Sequence, residues 1–212
     1  MPSYKLTYFN FTGRAEPIRI LLHYGGIPFE DVRVEKADWP AVKPSTPFGQ
    51  VPVLEVDGKK YTQGTPLARY VANVVGLVGK SNEENLEIEI AINIVADILK
   101  TAYESHFDPD EEKKKQHLKT LHELLAKYFP VLDEAAKKNG GHLGTNKLNW
   151  GDIYFVTAYE DIRNILGNKD IVENYSGLQS LKKNVLSEKN IKEYIQNRPK
   201  IPIFVYDLRS EL

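Results

Sequence analysis

The sequence predicts a small α/β unit followed by a wholly helical one. Three observations predict it. The first 76 residues mix strand-length and helix-length apolar runs. The strongest turn signal, Asp57-Gly58, lies among them, between two β-type runs. From about Asn82 onward, apolar residues recur only at helical spacing. With 212 residues and 42% hydrophobic content, the chain has enough apolar material for two small cores.

Tyr4–Phe9 reads as the first strand, and 15–25 as a helix closing at Gly25-Gly26. A second strand over 28–34 has Phe29, Val32 and Val34 as its apolar members. Asp38-Trp39-Pro40 opens a short irregular helix. The run from Gly49 to Tyr61 then forms a hairpin about Asp57-Gly58, with Pro52 at a strand start where a missing N–H is tolerated. A helix over 65–76 completes the order β-α-β-(α)-β-β-α. In the second half, 84–106 carries Leu86, Ile88, Ile90, Ile94, Val95, Ile98 and Leu99 near a 3.6 period. Asp108-Pro109-Asp110 breaks it. A second long helix spans 115–138, stopped by Asn139-Gly140-Gly141. The stretch 150–166 is the most apolar helix and is expected to be central. Shorter helices follow near 177–186 and 188–197. The expected division is 1–76, a linker over 77–82, and 83–212. There is no internal repeat. Residues 201–206 are too apolar for a free tail and are expected to pack back on the protein.

The 28 basic and 29 acidic residues give a formal charge of −1, so no nucleic-acid or membrane partner is expected. No apolar run approaches about 20 residues, so no spanning helix is expected. No basic region leads into an apolar core at the N-terminus, so no signal peptide is expected. The absence of cysteine excludes disulfides, thiolate metal sites and an enzyme thiol nucleophile. It fits a cytoplasmic protein. The five histidines form no ligand constellation, and no metal site is expected.

Tyr8 is the foremost candidate residue. A phenol at a strand end, facing a helix start, sits where α/β folds place ligands. Arg14 lies six residues on, and a thiol used here must come from a cosubstrate. Val51-Pro52 is an X-Pro bond, able to be cis at modest cost. A cis bond would turn the Val51 backbone outward toward a peptide-like ligand, although trans is the statistical default. At Gln63-Gly64-Thr65-Pro66 a strand ends and a helix begins. Free N–H groups there attract an anion, with Thr65 as cap and Pro66 at the first helical position. A merely well-capped helix is the plainer reading. Arg14, Trp39 and Lys43, taken singly, read as surface or core. Asp97, among apolar neighbours, reads as a structural hydrogen-bond partner or an interface residue. Asn149-Trp150-Gly151-Asp152 is a capping box and serves folding. Glu111 to Lys115 reads as a solvated face. There is no phosphate loop and no GxSxG elbow.

Together, these residues resemble the cytosolic glutathione transferases, and within them the sigma class. The match runs from residue 2 to about 200. Its elements are Tyr8-Phe9 with Gly13-Arg14-Ala15-Glu16, Asp38-Trp39-Pro40, Pro47-Phe48-Gly49-Gln50-Val51-Pro52-Val53-Leu54, Gln63 followed by Leu67-Ala68-Arg69-Tyr70, and Trp150-Gly151-Asp152. Asp38-Trp39-Pro40 and Gly141-His142-Leu143 are most similar to arthropod members. The resemblance implies an α/β thioredoxin-like N-terminal domain with a cis Pro52, an all-α C-terminal domain, and a homodimer. Glutathione is the implied cosubstrate, with no covalently bound cofactor. Tyr8 would stabilise its thiolate, with Arg14 beside the sulfur. Trp39 and Lys43 would hold the glycyl end, and Gln50 and the Val51 backbone the cysteinyl unit. Gln63 would hold the γ-glutamyl end, joined by Asp97 of the partner subunit. Phe9, Phe11, Gly13, Arg14, Tyr103 and Tyr154 would form the electrophile pocket.

The chain departs from the family where a serine usually follows the glutamine. Gly64 supplies no hydroxyl, Thr65 stands one position late, and Pro66 removes a donor. Asn93 and Ala96 stand where the vertebrate prostaglandin D synthases of this class carry acids, which argues against a magnesium site like theirs. The implied activity is transfer of glutathione to soft electrophiles such as quinones, enals and aryl halides. Two alternatives are a glutathione-dependent isomerase of prostaglandin type and a catalytically weakened binding protein like the lens crystallins of the class.

Overall fold

The computed structural model describes residues 2–200 and 207–212. Strand β1 (Tyr4–Phe9) leads through a 3-10 turn (Gly13–Ala15) into α1 (Glu16–Tyr24) and β2 (Glu30–Val34). Then come α2 (Trp39–Val42), β3 (Val53–Val56), β4 (Lys59–Thr62) and α3 (Gly64–Val75). The sheet order is β2-β1-β3-β4. β1 pairs parallel with β2, Thr7 opposite Val32, and antiparallel with β3, Leu6 opposite Leu54. Period-2 alternation decides what β1 buries. Tyr4, Leu6 and Tyr8 go under, whereas Lys5, Thr7 and Phe9 stay half-buried on the other face. Asp57 and Gly58 connect β3 to β4 with φ of 48° and 83°, the pair of positive values a type I′ turn demands. The Val51-Pro52 bond is cis.

The second half is helical. It comprises α4 (Asn82–Phe107), α5 (Glu111–Lys138), α6 (Trp150–Ile165), α7 (Ser176–Ser187) and α8 (Lys189–Asn197), with a closing 3-10 turn at Leu208–Glu211. Helix α5 starts four residues before the expected Lys115. The Asp110 side chain accepts from the amides of Glu112 and Lys113 and so sets the start. The acidic and basic run from Glu111 is thus helical. At α6 the capping box is present: Asn149 accepts from Gly151 N–H at 2.8 Å, and Asn149 N–H donates to Asp152 at 3.1 Å. Every residue from Trp150 to Ile162 is buried, so α6 is the central helix. Helix α1 packs on α3, α6 and α8 and so joins the sheet to the bundle.

The expectation for 201–206 falls outside the described residues. Residues 207–212 do pack back. Leu208 is fully buried and its amide donates to Glu160 at 3.0 Å. Glu211 pairs with Arg163 and Lys182 at 3.0 Å each.

Candidate active site

Tyr8 ends β1 with its ring buried and its hydroxyl accepting from the Arg14 amide at 3.2 Å. The turn that aims this amide depends on Gly13. Its φ is +50°, and a methyl there would lie 2.7 Å from both the Tyr8 hydroxyl and the Phe11 ring. Burial pushes the Tyr8 hydroxyl up to about 12, with the Arg14 amide opposing it. The phenol is therefore protonated at neutral pH. With its acceptor side used by Arg14, its own proton is the one it can donate.

Arg14 is exposed, and its guanidinium stands 5.9 Å from the centre of the Tyr103 ring. Beside it opens a cavity of about 230 Å³. Arg14, Tyr103 and Tyr154 line it, together with Gln63, Gly64, Thr65 and Asp97. Burial raises the phenols of Tyr103 and Tyr154 above their ordinary value, so both remain neutral donors. Asp97, which the resemblance assigned to the partner's site, thus lies on the wall shared with its own chain's Gln63 and Thr65. Across the mouth, Gln63 Nε2 donates to Gln50 Oε1 at 3.5 Å. Trp39 is half-buried; Lys43 is exposed, its aliphatic stem folded over Gly49. Among the described residues, no group of three or more His, Asp and Glu could hold a metal ion.

Residues 4–73 match the glutathione S-transferase N-terminal domain family, and 96–198 match the C-terminal domain. A glutathione S-transferase of Anopheles gambiae is 44% identical over 94% of this chain and 98% of its own. The chain belongs to the glutathione S-transferase family. Glutathione S-transferase S1 of Drosophila melanogaster is 42% identical over 93% of this chain and 79% of its own. A solved structure of prostaglandin synthase D from Nilaparvata lugens superposes with a TM-score of 0.87, at 42% identity, covering 94% of this chain and all of that one. These relatives make the chain an arthropod-like member of sigma type, on the thioredoxin-like plus helical transferase fold.

Within this transferase framework two expectations need correction. Phe9, Phe11 and Gly13 do not line the cavity that holds Arg14, Tyr103 and Tyr154. Strand alternation starts Phe9 from the half-buried face, but its ring turns back to meet that of Tyr8 edge-on at 5.8 Å. There it stacks with Phe11 at 5.8 Å and meets Trp39 edge-on at 5.2 Å. Gly13 is buried against the Tyr8 hydroxyl. Thr65 is not the cap of α3, and Pro66 is its third residue, not its first. Gln63, at φ 80°, turns the chain earlier, so the helix begins at Gly64. The Thr65 hydroxyl is left to meet that of Tyr154 at 3.4 Å.

Sequence reading missed Thr12 and Asp161. Asp161 accepts from the Thr12 hydroxyl at 2.7 Å and the Tyr103 hydroxyl at 2.6 Å. An acidic residue inside the most apolar helix was the available signal. It also missed the pairing of Glu16 with Arg19 and Arg198, a buried ionic cluster behind the site.

Proposed function

We propose that this protein is a glutathione transferase in which Tyr8 donates a hydrogen bond to the glutathione sulfur and the thiolate then attacks a soft electrophile. The observation that carries the reading is the Tyr8 hydroxyl, protonated and held by the Arg14 amide beside the cavity. A thiol of pKa about 8.5 is only about 3% ionised at pH 7. A hydrogen bond to a charged acceptor contributes about 1.5–3 kcal/mol. At about 1.36 kcal/mol per pKa unit, this lowers the thiol by one to two units. About a quarter to three-quarters of bound glutathione is then thiolate at pH 7, against about 3% for the free thiol, and one phenol suffices. The sulfur forms a bond to carbon. The electron pair leaves with halide from an aryl halide, or is protonated by water after addition to an enal or quinone.

The residues present suit the tripeptide. The first amides of α3 face an anion, Gln50 and Gln63 meet at the mouth, and Trp39 and Lys43 flank the outer end. Arg14, Tyr103 and Tyr154 form the electrophile wall. The division into a glutathione-binding unit over 1–76 and a helical unit over 83–212 belongs to the same reading. So does a homodimer. Phe48 is 85% exposed and Leu86 60%, with Ile90 and Val74 also exposed, more apolar surface than scattered positions need. A cytoplasmic location agrees with the cysteine-free composition; among the described residues, no helix is long and apolar enough to cross a membrane. Retention on immobilised glutathione, followed by conjugation of an aryl halide and an enal, is the direct test. Retention without turnover on any electrophile would leave a binding protein. The likeness to the Nilaparvata lugens prostaglandin synthase D keeps a second reading, a glutathione-dependent isomerase of prostaglandin type, which product analysis decides.

The α3 start yields a specific expectation. Thr65→Val should weaken glutathione binding by about 0.5–1.5 kcal/mol, one ordinary hydrogen bond. Gly64→Ser should bring no gain. A Cβ at Gly64 lies 3.1 Å from the Arg14 carbonyl oxygen and presses on the turn that serves Tyr8. Calorimetry reads both; tighter binding by the serine protein would reverse the assignment. Asp97→Ala should cost about 1 kcal/mol of glutathione affinity, because Asp97 is exposed on the cavity wall. Sedimentation of both proteins near twice 24.2 kDa is the companion expectation.

A further inference from the structure

Asp161 has a role that packing does not require. It lies on α6, 1% exposed, where α6 meets the β1–α1 connection and α4. One carboxylate oxygen accepts from the Thr12 hydroxyl at 2.7 Å and the other from the Tyr103 hydroxyl at 2.6 Å. Among the described residues it makes no ion pair. A buried carboxylate without a cation is costly, and its two hydrogen bonds offset only part of that cost. Accordingly, burial pushes its acid up to about 6, against the bonds from Tyr103 and Thr12. An apolar residue of similar size would fill the space without this penalty.

The two donors lead to different parts of the site. Thr12 immediately precedes the Gly13–Ala15 turn, whose Arg14 amide donates to Tyr8. That turn is tight, because a side-chain carbon at Gly13 would lie 2.7 Å from the Tyr8 hydroxyl. Tyr103 lines the cavity and carries the Arg14 guanidinium over its ring. We propose that Asp161 is a positioning residue for the transfer, one carboxylate fixing both the turn that serves Tyr8 and the aromatic wall that meets the electrophile. The proposal rests on the Tyr8 reading above and adds a helical-half residue that touches neither substrate. Through Asp161, the wall and the sulfur site share one anchor, so a shift in either reaches the other.

The test compares Asp161→Ala and Asp161→Asn with the native chain. The asparagine keeps the volume and offers one carbonyl acceptor to two donors; it carries the test should the alanine protein not fold. In the glutathione-free protein, the Arg14 amide should exchange hydrogen at least tenfold faster in the alanine variant, relative to the core amides of Ile153 and Val156. In folded protein, conjugation kcat should fall at least tenfold while the glutathione dissociation constant stays within threefold. The asparagine variant should lie between. A purely structural residue would move the melting temperature but neither the relative Arg14 exchange nor the kcat of the folded fraction. Unchanged relative exchange, unchanged kcat, or glutathione affinity lost in step with the rate would overturn the proposal. If the native chain binds glutathione but conjugates nothing, the functional reading fails alone, and the exchange measurement still decides on Asp161.

Discussion

Tyr8→Phe is expected to slow conjugation about ten- to hundredfold near neutral pH while leaving the fold and the glutathione affinity nearly intact. The factor is the charge-assisted hydrogen bond, about 1.5–3 kcal/mol, converted at about 1.36 kcal/mol per decade. The fold survives because the phenyl ring keeps its neighbours. Phe11 lies at 5.2 Å and the Arg19 guanidinium at 5.9 Å. What the variant loses is the acceptor for the Arg14 amide and the donor for sulfur. In the proposed reading, glutathione affinity rests chiefly on groups elsewhere, at Trp39, Gln50, Gln63 and Thr65. The pH dependence follows with a definite sign. Without the phenol the bound thiol returns toward about 8.5. The rate deficit is then largest below the native complex's thiol pKa and closes as pH rises past about 9. Ultraviolet absorbance of bound thiolate, followed against pH, measures this without an electrophile. An unchanged pH–rate profile would remove Tyr8 as the thiolate stabiliser.

Local chemistry was legible in the sequence; long-range chemistry was not. Asp57-Gly58 specifies its turn by itself, because few other residues accept two consecutive positive φ values. The box at Asn149 and Asp152 spans three residues, and its donors are set by the helix start. Tyr8 was legible as a phenol at a strand end facing a helix start, and the structure places it there, its ring buried at the end of β1. Period 2 starts Phe9 from the other face, yet its ring stays 5.8 Å from that of Tyr8, a contact alternation alone does not foretell. The α3 start was read one residue late. Thr65 and Pro66 are good N-terminal residues, but Gln63 adopts φ 80°, which no propensity assigns to glutamine. The Thr12–Asp161 bond joins positions 149 apart. No local pattern carries that pairing; only the docking of α6 on the β1–α1 connection brings it about. The ionic cluster behind the site is of the same kind. Glu16 sits in a motif that resemblance recognised, but its cation is Arg198, 182 positions away.

That cluster gives the largest expected effect on stability. Arg198→Met should cost about 3–5 kcal/mol, the consequence of leaving buried charge without its partner. The Arg198 guanidinium is 1% exposed and meets Glu16 at 2.7 Å, Asp207 at 3.0 Å, and Glu160. It therefore ties α1, α6 and the C-terminal turn together at the end of α8. Methionine roughly fills the space, so the cost is one of charge rather than volume. Burial alone would raise the Glu16 carboxyl; Arg198 and Arg19 overcome this and hold it below its ordinary value. Such a depressed group gives stability that is present above the unfolded pKa and lost as pH falls. Burial lifts Glu160 to about 7 even with Arg198 beside it, so Glu160 costs stability as pH rises through that value. Removing the cation drives both carboxyls upward. The difference between native and variant should then be greatest at pH 7 and above, and shrink toward pH 5 as the stranded carboxylates take up protons. Adding Glu160→Gln to Arg198→Met should recover part of the loss at pH 7 and little at pH 5. Denaturant titrations of the three proteins at both pH values read the prediction. A penalty that is the same at pH 7 and pH 5 would show that Arg198 contributes packing, and that the carboxylates around it are satisfied without its charge.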